Sequence, residues 1–137
     1  MAKLDVKGVS MRFVLPGGGG VQALEDVSFT LASGELLTVL GPSGCGKTTL
    51  LNIIAGFLAP TEGHLTLNGM PIDGPGAERL MVFQDGALFE WLSVEKNISF
   101  GPDMRGAPKS ETEKIVSGLL DTVGLQGFGD KAVYELS

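Results

Sequence analysis

Cysteine and histidine each occur once in the 137 residues, as Cys45 and His64. Two such residues cannot supply the soft ligands of a zinc site, and a lone cysteine cannot staple a secreted fold, so a reducing compartment is expected. Basic residues are also scarce: ten against sixteen acidic ones leave a net charge of -6. That sign repels phosphate backbones and argues against nucleic acid as a partner. Long apolar runs are missing too. The longest stretch, residues 50–59, is interrupted by Asn52 and falls far short of the roughly 20 residues a membrane helix needs. The first ten residues contain no apolar h-region, so no secretory leader is expected. Charged residues make up only 19% of the chain and hydrophobic residues 43%, which is the composition of a folded domain and not of a disordered one. What is abundant is glycine, at 21 residues, about twice the usual share of ~7%. Without a repeat period, such an excess points to turns and to loops that approach a ligand closely.

Residues 4–13 and 23–31 alternate apolar and polar side chains with β-branched residues among them, and predict two strands joined by a flexible loop at 16–20. Gly18, Gly20 and Ala23 fit the dinucleotide pattern G-x-G-x-x-A. The segment after them reads as a strand where that pattern requires a helix, so a Rossmann site is excluded on context. Residues 36–40 (Leu-Leu-Thr-Val-Leu) form a continuous apolar run, the signature of a strand buried on both faces of a parallel sheet. Leu50, Leu51, Ile54 and Phe57 follow helical spacing up to a stop at Gly56. Residues 64–72 carry Asn68-Gly69 between two short apolar runs and predict a hairpin with a type I′ turn. Residues 80–83 read as a further short strand, and a helical stretch opens near Ser93. Residues 110–123 predict a helix with a capping box of Ser110 and Glu113, an apolar face of Ile115, Val116, Leu119, Leu120 and Val123, and a stop at Gly124. No repeat or linker divides the chain, so one domain of α/β class is expected.

Between the run 36–40 and the helix lies Gly41-Pro42-Ser43-Gly44-Cys45-Gly46-Lys47-Thr48. It satisfies G-x-x-x-x-G-K-[ST] at every fixed position and in the strand–loop–helix context that this pattern needs. Glycines let successive backbone N–H groups converge on phosphate oxygens, and the helix start adds positive partial charge. Lys47 is then the cation for the β and γ phosphates, and the Thr48 hydroxyl is a ligand for Mg²⁺. The expected nucleotide contacts are Gly41, Ser43, Gly44, Cys45, Gly46, Lys47, Thr48 and Thr49. Cys45 reads as a small spacer here, since a bound nucleotide would cover it. Forty residues precede the loop, unlike small-molecule kinases that open with it, and no Asn-Lys-x-Asp of a guanine reader occurs.

The order of Phe13, Ala23-Leu24-Glu25-Asp26-Val27-Ser28, the loop 41–49, the hairpin, and Val82-Phe83-Gln84 resembles the ATP-binding subunits of ABC transporters. The run Gly74-Pro75-Gly76-Ala77-Glu78-Arg79 leading into Gln84 narrows the resemblance to importers of taurine, alkanesulfonates, nitrate and similar small solutes. Two departures from that pattern are Leu80-Met81, where Gly-Val is usual, and Glu90, where Pro is usual. The resemblance implies a P-loop NTPase fold of ABC type, with a mixed sheet, an antiparallel β portion and the start of a helical subdomain. In it the core covers about residues 1–84 and the Q-loop and helical subdomain about 84–137. It implies that Phe13 stacks on adenine, the alternative being a Phe on a buried strand face. Gln84 becomes the Q-loop glutamine, reaching Mg²⁺ or the attacking water. Phe89 and Trp91 lie near the groove that receives a permease helix, or else pack within the subdomain, and at least one of them is expected in the core. The cofactors implied are ATP and Mg²⁺. The partners implied are a second copy in a head-to-tail dimer, membrane permease subunits and, indirectly, a solute-binding protein, with the chain peripheral on the cytoplasmic face of the membrane. The signature Leu-Ser-Gly-Gly-Gln, the catalytic Glu and the switch His fall after Leu136-Ser137. The function expected is an ATPase subunit that drives solute import, the alternative being a nucleotide-binding module without turnover.

Overall fold

The computed structural model describes residues 3–84 and 86–136. They fall into two compact units, Met1–Met81 and Val82–Ser137. The first holds strands β1 (Lys3–Val14) and β2 (Gly20–Ala32), helix α1 (Lys47–Ala55), and strands β3 (Glu62–Leu67) and β4 (Met70–Pro71). The strands make one antiparallel sheet in the order β2-β1-β3-β4. The chain enters β2 directly from the glycine run, so the G-x-G-x-x-A pattern opens a strand, as its context predicts.

The alternation of β1 changes phase partway along. Leu4 and Val6 are buried, and the next buried residue is Val9. A register shift lies between Val6↔Phe29 and Val9↔Val27, with a matching one between Lys7↔His64 and Ser10↔Glu62 on the other side. The extra residue is the signature of a bulge, and it keeps the core face continuous through the kink. The kink brings two backbones together: a Cβ on Gly63 would stand 2.3 Å from the Gly8 carbonyl oxygen, so only glycine fits there. Asn68 (φ 56) and Gly69 (φ 79) form the turn of the β3–β4 hairpin, as Asn-Gly predicts. The Asn68 side chain also accepts from the Lys3 N–H at 2.9 Å.

Helix α1 packs on this sheet. Leu50 and Ile53 join Leu4, Val6, Val9, Leu24 and Leu65 in the core, with Ile54 beside them. The expected face of Leu50, Leu51, Ile54 and Phe57 is therefore displaced, since Leu51 is half exposed while Ile53 is fully buried. The sheet covers one side of the helix only. Burying each of Val6, Val9 and Ile53 stabilises the unit by roughly 1.5–3 kcal/mol.

Two expected strands are not present. Residues 36–40 have no strand pairing, and Leu36 and Leu40 are 91% and 86% exposed. Residues 80–83 likewise form no strand, with Leu80 and Val82 exposed. The physical reason is common to both: a parallel strand has no local hairpin partner and acquires its ladder only from distant chain. The antiparallel portion of the expected sheet is thus the portion formed.

The second unit contains α2 (Val94–Met104), α3 (Lys109–Thr122) and a 3₁₀ turn (Val133–Glu135). Ser93 caps α2, its hydroxyl accepting from the Lys96 N–H at 3.3 Å. The first N–H groups of α2 are taken by a following segment, Val94 donating to the Lys131 carbonyl at 2.9 Å and Glu95 to that of Gly129 at 2.8 Å. The capping box of Ser110 and Glu113 does not form, because the N-cap of α3 falls two residues earlier, on Pro108, with no side-chain cap. The Pro108 carbonyl instead accepts from Glu111 and Thr112. Gly124 ends α3 as expected, with Leu125 N–H reaching back to Leu120 at 2.8 Å. Ile115, Val116 and Leu120 of the expected face are partly buried, while Leu119 and Val123 are exposed.

Candidate phosphate-binding site

The loop before α1 departs from regular structure where its glycines demand it. Gly44 (φ 80) and Gly46 (φ 92) both take left-handed backbone. Gly46 is also the residue preceding the helix, and a Cβ there would stand 2.3 Å from the Ala23 carbonyl oxygen and 2.9 Å from Leu24 Cδ2. The start of α1 is thus set against β2, and any side chain at Gly46 would push it away.

No side chain caps α1, and no acidic residue stands in its first turn. The free N–H groups of a helix start and the partial positive charge of its dipole suit an anion. The Lys47 ammonium is folded back over the loop, donating to the Gly41 carbonyl at 2.8 Å, to the Pro42 carbonyl at 2.7 Å and to Cys45 Sγ at 3.4 Å. Its charge stays beside the helix start, compensated by carbonyl dipoles and by no carboxylate among the described contacts. Ser43 and Thr48 are exposed, with Thr49 half-buried behind them. Cys45 is exposed and fits closely under Gly41, where a Cβ would come within 2.6 Å of its sulfur. A loop with glycine at positions 41, 44 and 46, an uncapped helix start, an ammonium held beside it and an exposed hydroxyl at the second helical position fit a nucleoside triphosphate with its Mg²⁺.

The structure brings Gly41, Ser43, Gly44, Cys45, Gly46, Lys47, Thr48 and Thr49 together as one loop and helix start. Phe13 belongs to the same unit. It lies at the end of β1, opposite Val21, and is 38% exposed, two residues along the ladder from the β2 stretch that receives Gly46. Gln84 belongs to the second unit, exposed in a bend. In that unit Phe89 is half-buried and stacks on Phe100 with centroids 4.4 Å apart, while Trp91 is 80% exposed and 5.4 Å from Phe89. Sequence reasoning passed over Asn97, whose side chain makes four hydrogen bonds to the backbone around these aromatics. Its position four residues after Ser93 was the available signal.

An antiparallel sheet carrying an uncapped helix behind a glycine-rich loop has the layout of a P-loop cassette fold. A family model for ABC transporters matches residues 24–137, and the chain belongs to that family. It is 66% identical over all 137 residues to the taurine import ATP-binding protein TauB of Roseobacter denitrificans, covering 51% of that protein. To the protein of the same name from Jannaschia it is 62% identical, again over the whole chain and 51% of the relative. The chain therefore spans about half the length of the curated relatives it matches. Among solved structures, the dimeric post-hydrolysis state of an ATP-binding cassette bound to ADP and Pi superposes with a TM-score of 0.81 at 26% identity, over 98% of this chain and 63% of that one. No described helix is long and apolar enough to cross a membrane.

Proposed function

We propose that this chain is the nucleotide-binding part of a subunit that uses ATP to drive import of a small sulfonate, taurine in the first instance, through a membrane permease. The observation that carries the nucleotide reading is the uncapped start of α1 beneath the Lys47 ammonium. The solute reading is supported by relatives at 59–66% identity that carry the name of taurine importers; nitrate and other sulfonates are the alternatives. The fold likeness to dimeric cassettes supports pairing with a second copy, head to tail.

The residues divide the work as follows. Backbone N–H groups of residues 44–49 hold the phosphate chain, and Lys47 exchanges the Gly41 and Pro42 carbonyls for phosphate oxygens, a stronger charge-assisted bond. Thr48 would hold Mg²⁺ through its hydroxyl, and Phe13 would stack on adenine. When bound, Mg²⁺ supplies charge neutralisation at the β and γ phosphates. Gln84 responds to the terminal phosphate, and the surface of Phe89 and Trp91 beyond it takes a helix of the permease. Such a subunit lies at the cytoplasmic face of the membrane, with the solute delivered by a separate receptor.

Titration calorimetry on the full-length subunit tests the first step. Lys47→Ala should weaken MgATP binding at least ~10-fold, since the triphosphate loses its nearest fixed cation. Equal affinities for the two proteins would remove Lys47 from the site.

A further inference from the structure

Helices α2 and α3 flank a cavity that plays no part in the nucleotide reading. The turn at residues 105–108 folds α3 back along α2. At the far end a Cβ on Gly129 would touch both Leu120 of α3 (3.3 Å) and Glu95 of α2 (3.5 Å). The groove so formed has a volume of about 740 Å³, which is the size of a small-molecule site. Two hydroxyls line it from within the fold. Thr112 is only 7% exposed, and its Oγ1 has no hydrogen-bond partner. Ser99, at 5% exposed, donates to the Lys96 carbonyl at 3.4 Å, so its lone pairs remain open. An unpaired buried hydroxyl costs stability, and a donor entering the groove removes that cost.

The charges lining the groove select the sign of such a ligand. Glu95, Asp103, Glu113 and Asp121 face Lys96 and Lys109, which leaves the balance negative. Lys109 is engaged by Glu113 at 3.8 Å, whereas Glu95, Asp103 and Asp121 make no ion pair among the described residues. A metal ion is the wrong shape of cation, since no three His, Cys, Asp or Glu among the described residues are grouped to hold one. The carboxylates are instead spread along the groove: Glu95 and Asp103 stand on one helix, about 12 Å apart along its axis. Between the ends the lining includes Val116 and Leu120, which suit methylene groups.

We propose that the α2–α3 groove is a binding site for a linear aliphatic polyamine, with its terminal ammonium groups held by Glu95 and Asp121 at one end and Asp103 at the other, and an inner ammonium donating to Thr112 Oγ1. Each of these is a charge-assisted bond, stronger than its neutral counterpart. An extended triamine reaches both ends of the groove and places a donor between them. A short diamine does not. The site stands apart from the phosphate loop, so it does not depend on the nucleotide reading.

Calorimetric titration of spermidine into the nucleotide-free full-length subunit, at physiological ionic strength, tests this. One saturable site is expected. Ethylenediamine, too short to span the carboxylates, should bind at least about 10-fold more weakly. Asp103→Asn and Asp121→Asn should each weaken spermidine binding about 5-fold or more, and Thr112→Val about 10-fold, as loss of a hydrogen bond to a charged group predicts. Thr112→Val keeps the shape and removes an unpaired buried hydroxyl, so its ligand-free thermal midpoint should hold or rise. Should that variant not fold, the two Asn variants at exposed positions decide the matter. The proposal is overturned if spermidine gives no saturable heat, or if Thr112→Val binds it as the wild type does. It is equally overturned if ethylenediamine binds as tightly as spermidine, or if several equivalents bind with the same affinity in all variants, which is the diffuse attraction of an acidic surface.

Discussion

A charged side chain records its partners in its titration, and Asp5 is the case among the described residues where that record is resolved. The Thr30 hydroxyl, donating at 2.7 Å across the β1–β2 ladder, and the Lys3 ammonium at 3.0 Å hold its carboxyl below the usual carboxylate range. A depressed pKa contributes stability that is present above the unfolded value and is lost as pH falls through the folded one. Asp5 is half-buried on the sheet, and the effect stays local to its two partners. Thr30→Val removes the larger of the two causes, and carbon-detected NMR should find the Asp5 midpoint moved up toward an ordinary aspartate. A midpoint that stays in place would assign the depression to Lys3. Lys47 differs in kind: its partners are carbonyls of its own loop, which hold it near the helix start without neutralising it. A carboxylate in their place would have closed the site to phosphate.

Elements whose pattern is local were legible in the sequence. The ends of α1 at Lys47 and Gly56, the Asn68-Gly69 hairpin and the long antiparallel pair all follow from short-range signals, and so does the phosphate loop, whose chemistry is fixed by spacing alone. The bulge at Gly8 was not legible, since it is defined by two neighbouring strands at once. Residues 36–40 carry the composition of a buried strand, yet composition cannot supply the ladder. Asn97 was missed for a related reason: an Asn inside a helix pattern looks neutral until the turn it serves has folded back on it. Helix α1 offers a test of which face carries its packing. Ile53→Ala should cost about 2–5 kcal/mol, because a fully buried branched side chain leaves a cavity. Leu51→Ala, at a half-exposed position, should cost under about 1 kcal/mol. Urea midpoints of the two full-length variants decide it, and equal losses would mean that α1 is covered on both sides in the complete subunit.

For the molecule as a whole, the site proposed above is one for binding, and the resemblance assigns the groups expected to turn over elsewhere. The resemblance assigns the catalytic Glu, the switch His and the signature contacting the second copy to positions after Ser137, and the matched relatives are about twice as long as this chain, of which it covers 51%. Those groups act on the transition state, so lacking them costs rate far more than affinity. The apolar residues Leu36 and Leu40, and Leu80 and Val82, tell the same story from the side of stability. Side chains this apolar and this exposed are surfaces that soluble proteins cover, and uncovered they promote association. A protein of residues 1–137 alone should therefore bind MgATP weakly, self-associate on size-exclusion chromatography and release phosphate at no more than background rate. The full-length subunit should elute as a defined species and hydrolyse ATP with a rate that rises steeply with protein concentration, as pairing of two copies requires. Robust phosphate release by monomeric residues 1–137 would place the catalytic groups within this chain and overturn the division of labour argued here.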